Sequence, residues 1–406
     1  MTTTTRRPRI LVLNQYYKPG VEATANLLAD LCESLAADFD VTVVTGKLQG
    51  RDDLPSRELV NGVRVLRTRS TAFDRTKLHL RALNYITYLA DSFVRAQSQG
   101  RPDLVLCMTD PPIVGDLALA IARPRGVPLL VISEDVFPEI ATELGRLTNP
   151  VAVRLLRSLV GFYLRRADHV VAIGERMRER LIAKGAPPDR VTVIPNWVDT
   201  TAITPQSKDN EWSRSLGLDD RFVVMHSGNV GHAQNLDALI HATTYVRDLD
   251  DLTVPIIGFG ARHREMQRLA AQLEADNVRF LEYQPRERLS ESLSSADVHY
   301  VGLARGLAGF VVPSRLYGIL SVGRPVIVAA ESDSETAQLV QEVGCGVVVP
   351  PDRPDLIAAA IRDARDRTLD LEAMGAAGRE YVVREGDRLV ALGRYRELVG
   401  SLLGKQ

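Results

Sequence analysis

Two hydrophobic patterns alternate along the chain. Short unbroken apolar runs, RILVLNQYY (9–17), VTVVTG (41–46), DLVLCM (103–108) and HVVAI (169–173), read as strands buried on both faces of a parallel sheet. Between them lie helical stretches, such as Ala25, Leu28, Leu31, Cys32 and Leu35, spaced three and four apart. This βαβ rhythm predicts a doubly wound α/β sheet. After VTVIPNWVDT (191–200), whose Pro-Asn turn reads as a linker, the rhythm restarts. FVVMHSGN (222–229), LTVPIIGFG (252–260), VRFLEYQP (278–285), SADVHYVGL (295–303) and VGCGVVVPP (343–351) supply the second set of strands, with a helix expected over 235–248. From about residue 376 the pattern becomes that of amphipathic helices. The expected division is a first domain over 1–199, a second over 200–375, and closing helices over 376–406.

Two stretches of the second half look like anion-binding corners. PSRLYGILSVGRPVIVA (313–329) places Pro313 and Ser314 as a cap before Arg315, then a short apolar helix, a Gly323-Arg324-Pro325 turn and a buried strand. Free N–H groups at a helix start, with a guanidinium beside them, suit a phosphate. HSGNVGHAQNLDALIHA (226–242) makes a second strand, glycine loop and helix. Two such corners in one domain suggest a ligand with a pyrophosphate at its centre. The Gly-x-Gly after 252–257 is a weak nucleotide signal alone, and neither half carries a full G-x-G-x-x-G after its first strand, which disfavours a dehydrogenase.

In the first half, Gly20 follows the first strand in Lys18-Pro19-Gly20, where it either admits a ligand to the backbone or makes a plain turn. Glu134, Asp135 and Glu139 follow another strand in VPLLVISEDVFPEIATELG (127–145). Carboxylates there either bind sugar hydroxyls and assist proton transfer, a role favoured for Asp135, or cap the next helix, favoured for Glu134 and Glu139. Segment 63–96 interleaves Arg64, Arg67, Arg69, Arg75, Lys77 and Arg81 with Phe73, Leu78, Leu80 and Tyr85, and Asp74 is the one acid among those basic residues. It reads first as a solvated loop with a core helix, and second as a face resting on anionic lipid.

Composition adds bounds. The 406 residues are 45% hydrophobic and 25% charged, enough for two soluble cores. A net charge of −1 steers the chain toward no particular partner, and nucleic acid is not expected. Residues 1–199 hold 27 basic and 22 acidic side chains and the rest 23 and 29, a mild bias toward an anionic surface or acceptor near the first half. Cys32, Cys107 and Cys345 are widely spaced in apolar contexts and read as reduced core thiols. The start MTTTTRRPR lacks the apolar core of a signal peptide, and no run approaches the roughly 18 apolar residues of a membrane span. A cytoplasmic protein, in peripheral contact with the inner face of the membrane if the lipid reading holds, is expected.

These motifs resemble glycosyltransferase family 4. The resemblance runs from Ile10 to about Tyr395 and is most specific in 166–200, in HSGNVGHAQNLDALIHA, and in VPSRLYGILSVGRPVIVA with ESDSETAQLVQEVGCGVVVPPDRP after it. Within the family it is most similar to the bacterial surface-polysaccharide branch of colanic-acid and O-antigen type. The resemblance implies the GT-B fold, two Rossmann-like domains facing across a cleft, with the last helix returning to the first domain. It implies a retaining, metal-independent transfer of a sugar from a nucleoside-diphosphate donor, UDP-sugar foremost, to an acceptor hydroxyl on a sugar, lipid-linked or small molecule. Neither metal nor cofactor is expected, and the closing helices aside, donor binding falls to the second domain and acceptor binding to the first.

By the same resemblance, Gly228, Asn229 and Gln234 belong to the donor's glycine loop, Gln284 lies beside the base, and Ser314, Arg315 and Leu316 lie beside the diphosphate. Val311 and Val312 would face the donor sugar through their backbone. Two glutamates common in the family are replaced by Phe310 and Gly318, so the ribose contact needs another group; Glu335 is the candidate, with a helix-capping acid as its alternative. Asn229 and Gln234 stand where relatives carry Arg and Lys, leaving Arg315 as the main fixed charge. Asp135 falls near the family's sugar-side histidine. The other classes open to this fold are a sugar-nucleotide epimerase and a nucleotide-sugar-binding protein without catalysis.

Overall fold

The computed structural model describes residues 6–20, 23–51, 53–73 and 78–404. The chain forms two compact units, one of residues 1–195 with 392–406 and one of residues 196–391.

The first unit is an eight-stranded sheet. Its strands are β1 (Arg9–Leu13), β2 (Asp40–Thr45), β3 (Arg57–Val60), β4 (Val63–Arg67), β5 (Leu104–Cys107), β6 (Leu129–Ser133), β7 (His169–Ala172) and β8 (Val191–Val193), in the order β3-β4-β2-β1-β5-β6-β7-β8. All neighbours are parallel except β3 and β4, an antiparallel edge pair. The apolar runs lie where continuous hydrophobicity requires: β5 and β6 are buried at every residue, with helices covering them. β3 was not anticipated, because its alternating exposed and half-buried residues carry no apolar run. Cys32 and Cys107 are buried free thiols, as is Cys345 in the other unit.

The second unit is a six-stranded, all-parallel sheet of β9 (Phe222–Ser227), β10 (Leu252–Ile257), β11 (Val278–Leu281), β12 (Val298–Gly302), β13 (Val326–Ala329) and β14 (Gly346–Val349). The order is β11-β10-β9-β12-β13-β14. Its main core gathers Val224, Val254, Ile256, Tyr300, Ile327 and Ile357 beneath the helices Leu236–Thr243 and Pro354–Arg365. The helix Leu371–Glu385 lies on Arg315–Ser321 through glycine: a Cβ on Gly375 would stand 2.1 Å from the Gly323 carbonyl oxygen. Arg379 donates to the carbonyl (2.6 Å) and hydroxyl (2.8 Å) of Ser321 and to the Thr200 carbonyl (3.0 Å), tying down the end of that short helix.

The two passages of chain linking the units run side by side within the second, where Val198 bridges Asp387. The last helix, Arg388–Gly404, begins in the second unit and from Leu392 onward belongs to the first. There Leu392, Tyr395, Val399 and Leu402 are buried, and Arg396 pairs with Asp38 at 2.5 Å.

Candidate functional site

In each sheet the strand order reverses at one point, between β1 and β5 and between β9 and β12, and ligands of open parallel sheets bind at the carboxyl ends there. Both switch points carry the candidate residues.

In the second unit β9 ends in Ser227 and passes into Gly228, whose φ of 143° suits glycine. The loop is laced to its neighbour after β10: Gly228 N–H donates to the Ile257 carbonyl (2.9 Å) and Val230 N–H to the Phe259 carbonyl (2.9 Å). Their approach leaves no room for a side chain at Gly258, where a Cβ would lie 2.0 Å from the Gly228 carbonyl oxygen. The G-x-G after β10 is therefore the partner surface of the first loop. Gln234 folds back, its Oε1 accepting from Gly231 N–H at 2.9 Å, so it closes the loop from within.

Arg315, first residue of its helix, reaches this loop; its Cδ lies 3.8 Å from where a Gly228 Cβ would be. Its Nη1 stands 3.0 Å from His226 Nδ1 and 3.2 Å from Nε2. His226 is fully buried in β9, and its Nε2 lies 3.3 Å from the Asn229 carbonyl, which accepts from it. Burial, then the Arg315 charge, hold this imidazole well below its ordinary range, so it is neutral. Burial also pulls the half-buried Arg315 down to about 10, which leaves it cationic at neutral pH. Among the described residues no carboxylate pairs with Arg315; the phenols Tyr283 and Tyr300 are the other polar groups acting on its charge.

The other sequence candidates fall at graded positions. Ser314 does not cap the helix as expected: its backbone is already helical (φ −60°, ψ −23°) and its hydroxyl makes no capping bond. The expected cap therefore does not occupy the first N–H groups. Val312 and Leu316 are buried and Val311 is half-buried. Gln284 commits its side chain to structure, Oε1 accepting from Trp212 Nε1 (2.8 Å) and Nε2 donating to the Glu282 carbonyl (2.9 Å). Glu335 opens the helix Glu335–Val343, but Ser334 performs the capping, its hydroxyl accepting from Ala337 N–H at 3.3 Å. Phe310 is buried, and a Cβ on Gly318 would point toward Leu293, 3.7 Å away.

In the first unit, the carboxyl ends of β5 and β6 bring Asp110, Glu134 and Asp135 together, with Arg81 of the helix Leu78–Gln97 near enough to act on Asp135. Thr24 Oγ1 donates to Asp110 Oδ2 (3.2 Å), and the Thr109 hydroxyl accepts from Glu134 N–H (3.3 Å). Burial, with the charges of Asp110 and Glu134 and against that of Arg81, pushes the Asp135 carboxyl up to about 8. Glu139 pairs with Lys184 (2.6 Å) and Arg157 (3.1 Å) and caps no helix, since Pro138 stands at the cap of Glu139–Glu143 and no side chain makes a capping bond there. Gly20 also lies in this unit, its N–H donating to the Tyr17 carbonyl (3.0 Å) in a turn held by Arg67, which donates to the Lys18 carbonyl (2.9 Å).

In the basic segment 63–96, Arg67 is buried, Arg81 turns in to Tyr85, and Arg64 and Arg69 are exposed; Asp74, Arg75 and Lys77 lie outside the described residues. His226 and Tyr283 went unnoticed in the sequence. A single histidine in an apolar strand looks like core until the fold lays Arg315 across it.

Known proteins resemble both units of the chain. Residues 22–197 match the family described as "Glycosyl transferase 4-like domain" and residues 208–381 "Glycosyl transferases group 1". The chain is 26% identical to the probable glycosyltransferase WbjE of Pseudomonas aeruginosa, over 75% of this chain and 76% of that one. It is 26% identical to the putative colanic acid biosynthesis glycosyl transferase WcaI of Escherichia coli (strain K12), over 80% of each. Among solved structures it superposes on Anabaena Alr3699/HepE in complex with UDP with a TM-score of 0.73 and 15% identity, covering 97% of this chain and all of that one.

Proposed function

The chain belongs to the family 4 glycosyltransferases, and on that premise we propose that it is a retaining enzyme moving a sugar from a nucleoside diphosphate to an acceptor hydroxyl. The observation that carries the donor assignment is Arg315, a desolvated guanidinium at the glycine loop, lying against the neutral His226 ring and unpaired with any described carboxylate. Such a charge is stabilised by an anion, and a leaving diphosphate gains charge as the glycosidic bond breaks. UDP is the favoured carrier, since HepE, of the same fold, was solved with it. The exposed Tyr283 ring and the Gln284 backbone suit the base, and Asn229, Ser314, Val311, Val312 and Glu335 complete the proposed donor surface. A surface polysaccharide is the favoured product class, as the name of WcaI suggests.

Retention places acceptor attack on the face the diphosphate leaves, so a phosphate oxygen takes the acceptor proton and no strong enzymic base or metal is needed. Asp135, protonated at neutral pH, then serves as a hydrogen-bond donor in the unit that takes the acceptor. The test is Arg315→Ala. It should lower kcat/KM by about 10²–10³ with the melting curve preserved. UDP, which at a hundred times its Kd should add about 2.7 kcal/mol to the wild type, should no longer shift the variant. Wild-type turnover in Arg315→Ala rejects the donor site, and an inverted product anomer rejects the mechanism.

We also propose peripheral contact with anionic lipid through the helix Pro150–Arg166. The helix Pro150–Arg166 exposes Val151 (73%), Leu155 (59%) and Phe162 among the exposed Arg154, Arg165 and Arg166. Among the described residues no helix is long and apolar enough to cross a membrane. Flotation with phosphatidylglycerol vesicles, but not phosphatidylcholine, is expected, and loss of it in Leu155→Glu; equal flotation of the variant sinks the assignment.

A further inference from the structure

We propose that the first unit holds a second anion site, for a small phosphoryl group, at the amino ends of β1, β2 and β4. It stands apart from the donor and acceptor residues, which lie at the carboxyl ends of the strands, and does not rest on their assignment. A cavity of about 200 Å³ is lined there by Arg9, Thr42, Arg64, Ser98, Gln99 and Gly100, and no carboxylate is among its lining residues.

Strand register builds this cavity. Leu11, Thr42 and Arg64 are partners across β1, β2 and β4, so their side chains stand on one face of the sheet, and Arg9, two residues before Leu11, shares it. The turn 98–100, which follows the helix Leu78–Gln97, closes over that face. Gly100 holds φ at +74°, and a Cβ there would lie 3.4 Å from Arg9 Nη1. Asp103 anchors the strand rather than the Arg9 guanidinium: its Oδ2 accepts from the Arg9 backbone N–H (2.7 Å) and from Arg6 Nη2 (3.0 Å).

Two positive charges are left without a counter-ion. Among the described residues, neither Arg9 nor Arg64 pairs with a carboxylate or donates a side-chain hydrogen bond. Arg6, Arg51, Arg67 and Arg95 of the same unit each hold a carboxylate. Thr42 is buried, at 7% exposure, and its hydroxyl has no partner among the described residues either. The carbonyl end of the helix Leu78–Gln97 brings about half a negative charge beside the cavity, too little to cancel two guanidiniums. A phosphoryl group carries about −1.5 to −2 at neutral pH, which matches the pair, and guanidinium forks suit its oxygens. The size fits that group with little attached, since larger ligands occupy clefts of about 300–1,000 Å³.

The test is calorimetry at constant ionic strength, with glycerol 3-phosphate as the probe and UDP present to fill the proposed donor site. The wild type should bind the probe; Arg64→Gln and Arg9→Gln should each lower affinity about tenfold or more, and Thr42→Val about threefold. Arg57→Gln, which changes an exposed arginine of β3 outside the cavity, should bind as wild type. Arg64 is exposed, so Arg64→Gln keeps the fold and carries the test if melting curves show Arg9→Gln loosening β1. Capture on phosphatidic acid vesicles, measured in the Leu155→Glu chain, is the second arm. An Arg64 dependence confined to the vesicles assigns the phosphoryl group to a lipid headgroup, and one seen with glycerol 3-phosphate assigns it to a soluble ester; both keep the site. No binding in either arm, unchanged affinity in Arg64→Gln, or an equal loss in Arg57→Gln overturns it. UDP affinity should be the same in Arg64→Gln and wild type, so the donor reading stands or fails separately.

Discussion

Asp135 shows how one side chain acquires chemistry from its neighbours. Alone it is an ordinary acid; beside Asp110 and Glu134, partly withdrawn from water and with Arg81 as the opposing charge, it keeps its proton to about pH 8. The unfolded chain releases that proton near pH 4, so the native state holds an extra proton across the window from about 4 to 8. Stability from this residue is therefore greatest at the acid end and declines as pH rises through 8. In Asp135→Asn that decline should disappear, so the variant should compare better with wild type in urea unfolding at pH 8.5 than at pH 5.5. If the protonated form is the working one, wild-type turnover falls above pH 8, and the asparagine variant, which cannot ionise, loses that limb. A variant with an unchanged alkaline limb removes Asp135 from the site.

Among the elements, three glycines separate close approach from mere flexibility. Gly258 and Gly375 each face a backbone carbonyl oxygen, at 2.0 and 2.1 Å from a built Cβ, while Gly393 in the last helix meets nothing within 4 Å. Gly258 also holds φ at +126°, a region that alanine rarely enters. Alanine at either crowded position should cost about 2–3 kcal/mol in urea unfolding, whereas Gly393→Ala should stabilise by about 0.5–1 kcal/mol. The two crowded sites should differ in binding. Gly258→Ala displaces the Gly228 loop and should weaken UDP, while Gly375→Ala loosens helix packing. Equal UDP affinity in wild type and Gly258→Ala would show that the loop's shape does not matter to the donor.

For the whole molecule, the last helix is the element that both units share. Leu392, Tyr395, Val399 and Leu402 fill the first unit, and fully burying each such side chain is worth about 1.5–3 kcal/mol. Ending the chain after Ala391 should therefore lower the unfolding transition of the first unit and leave that of the second in place. UDP should continue to raise the second transition in the truncated chain. A second transition that falls with the first would mean that the units do not hold their stability separately.

How much of this was legible in advance follows from the range of each interaction. The parallel strands and their helices were readable because burial on both faces writes an unbroken apolar run, as in 103–108; β3 was not, because an edge strand writes none. Ser314 was misread as a cap because its identity signals capping, whereas capping depends on a backbone that here is already helical. Arg315 was legible from its place before a short helix after a proline and serine. Its partner was not, since His226 stands 89 residues earlier and only the β9–β12 switch brings the two together. The amino-acid order alone determined the two α/β units, the glycine loops and the arginine, all products of local pattern. Tertiary structure decided which charges remain uncancelled, because pairing, burial and the proton on Asp135 depend on neighbours that only folding supplies.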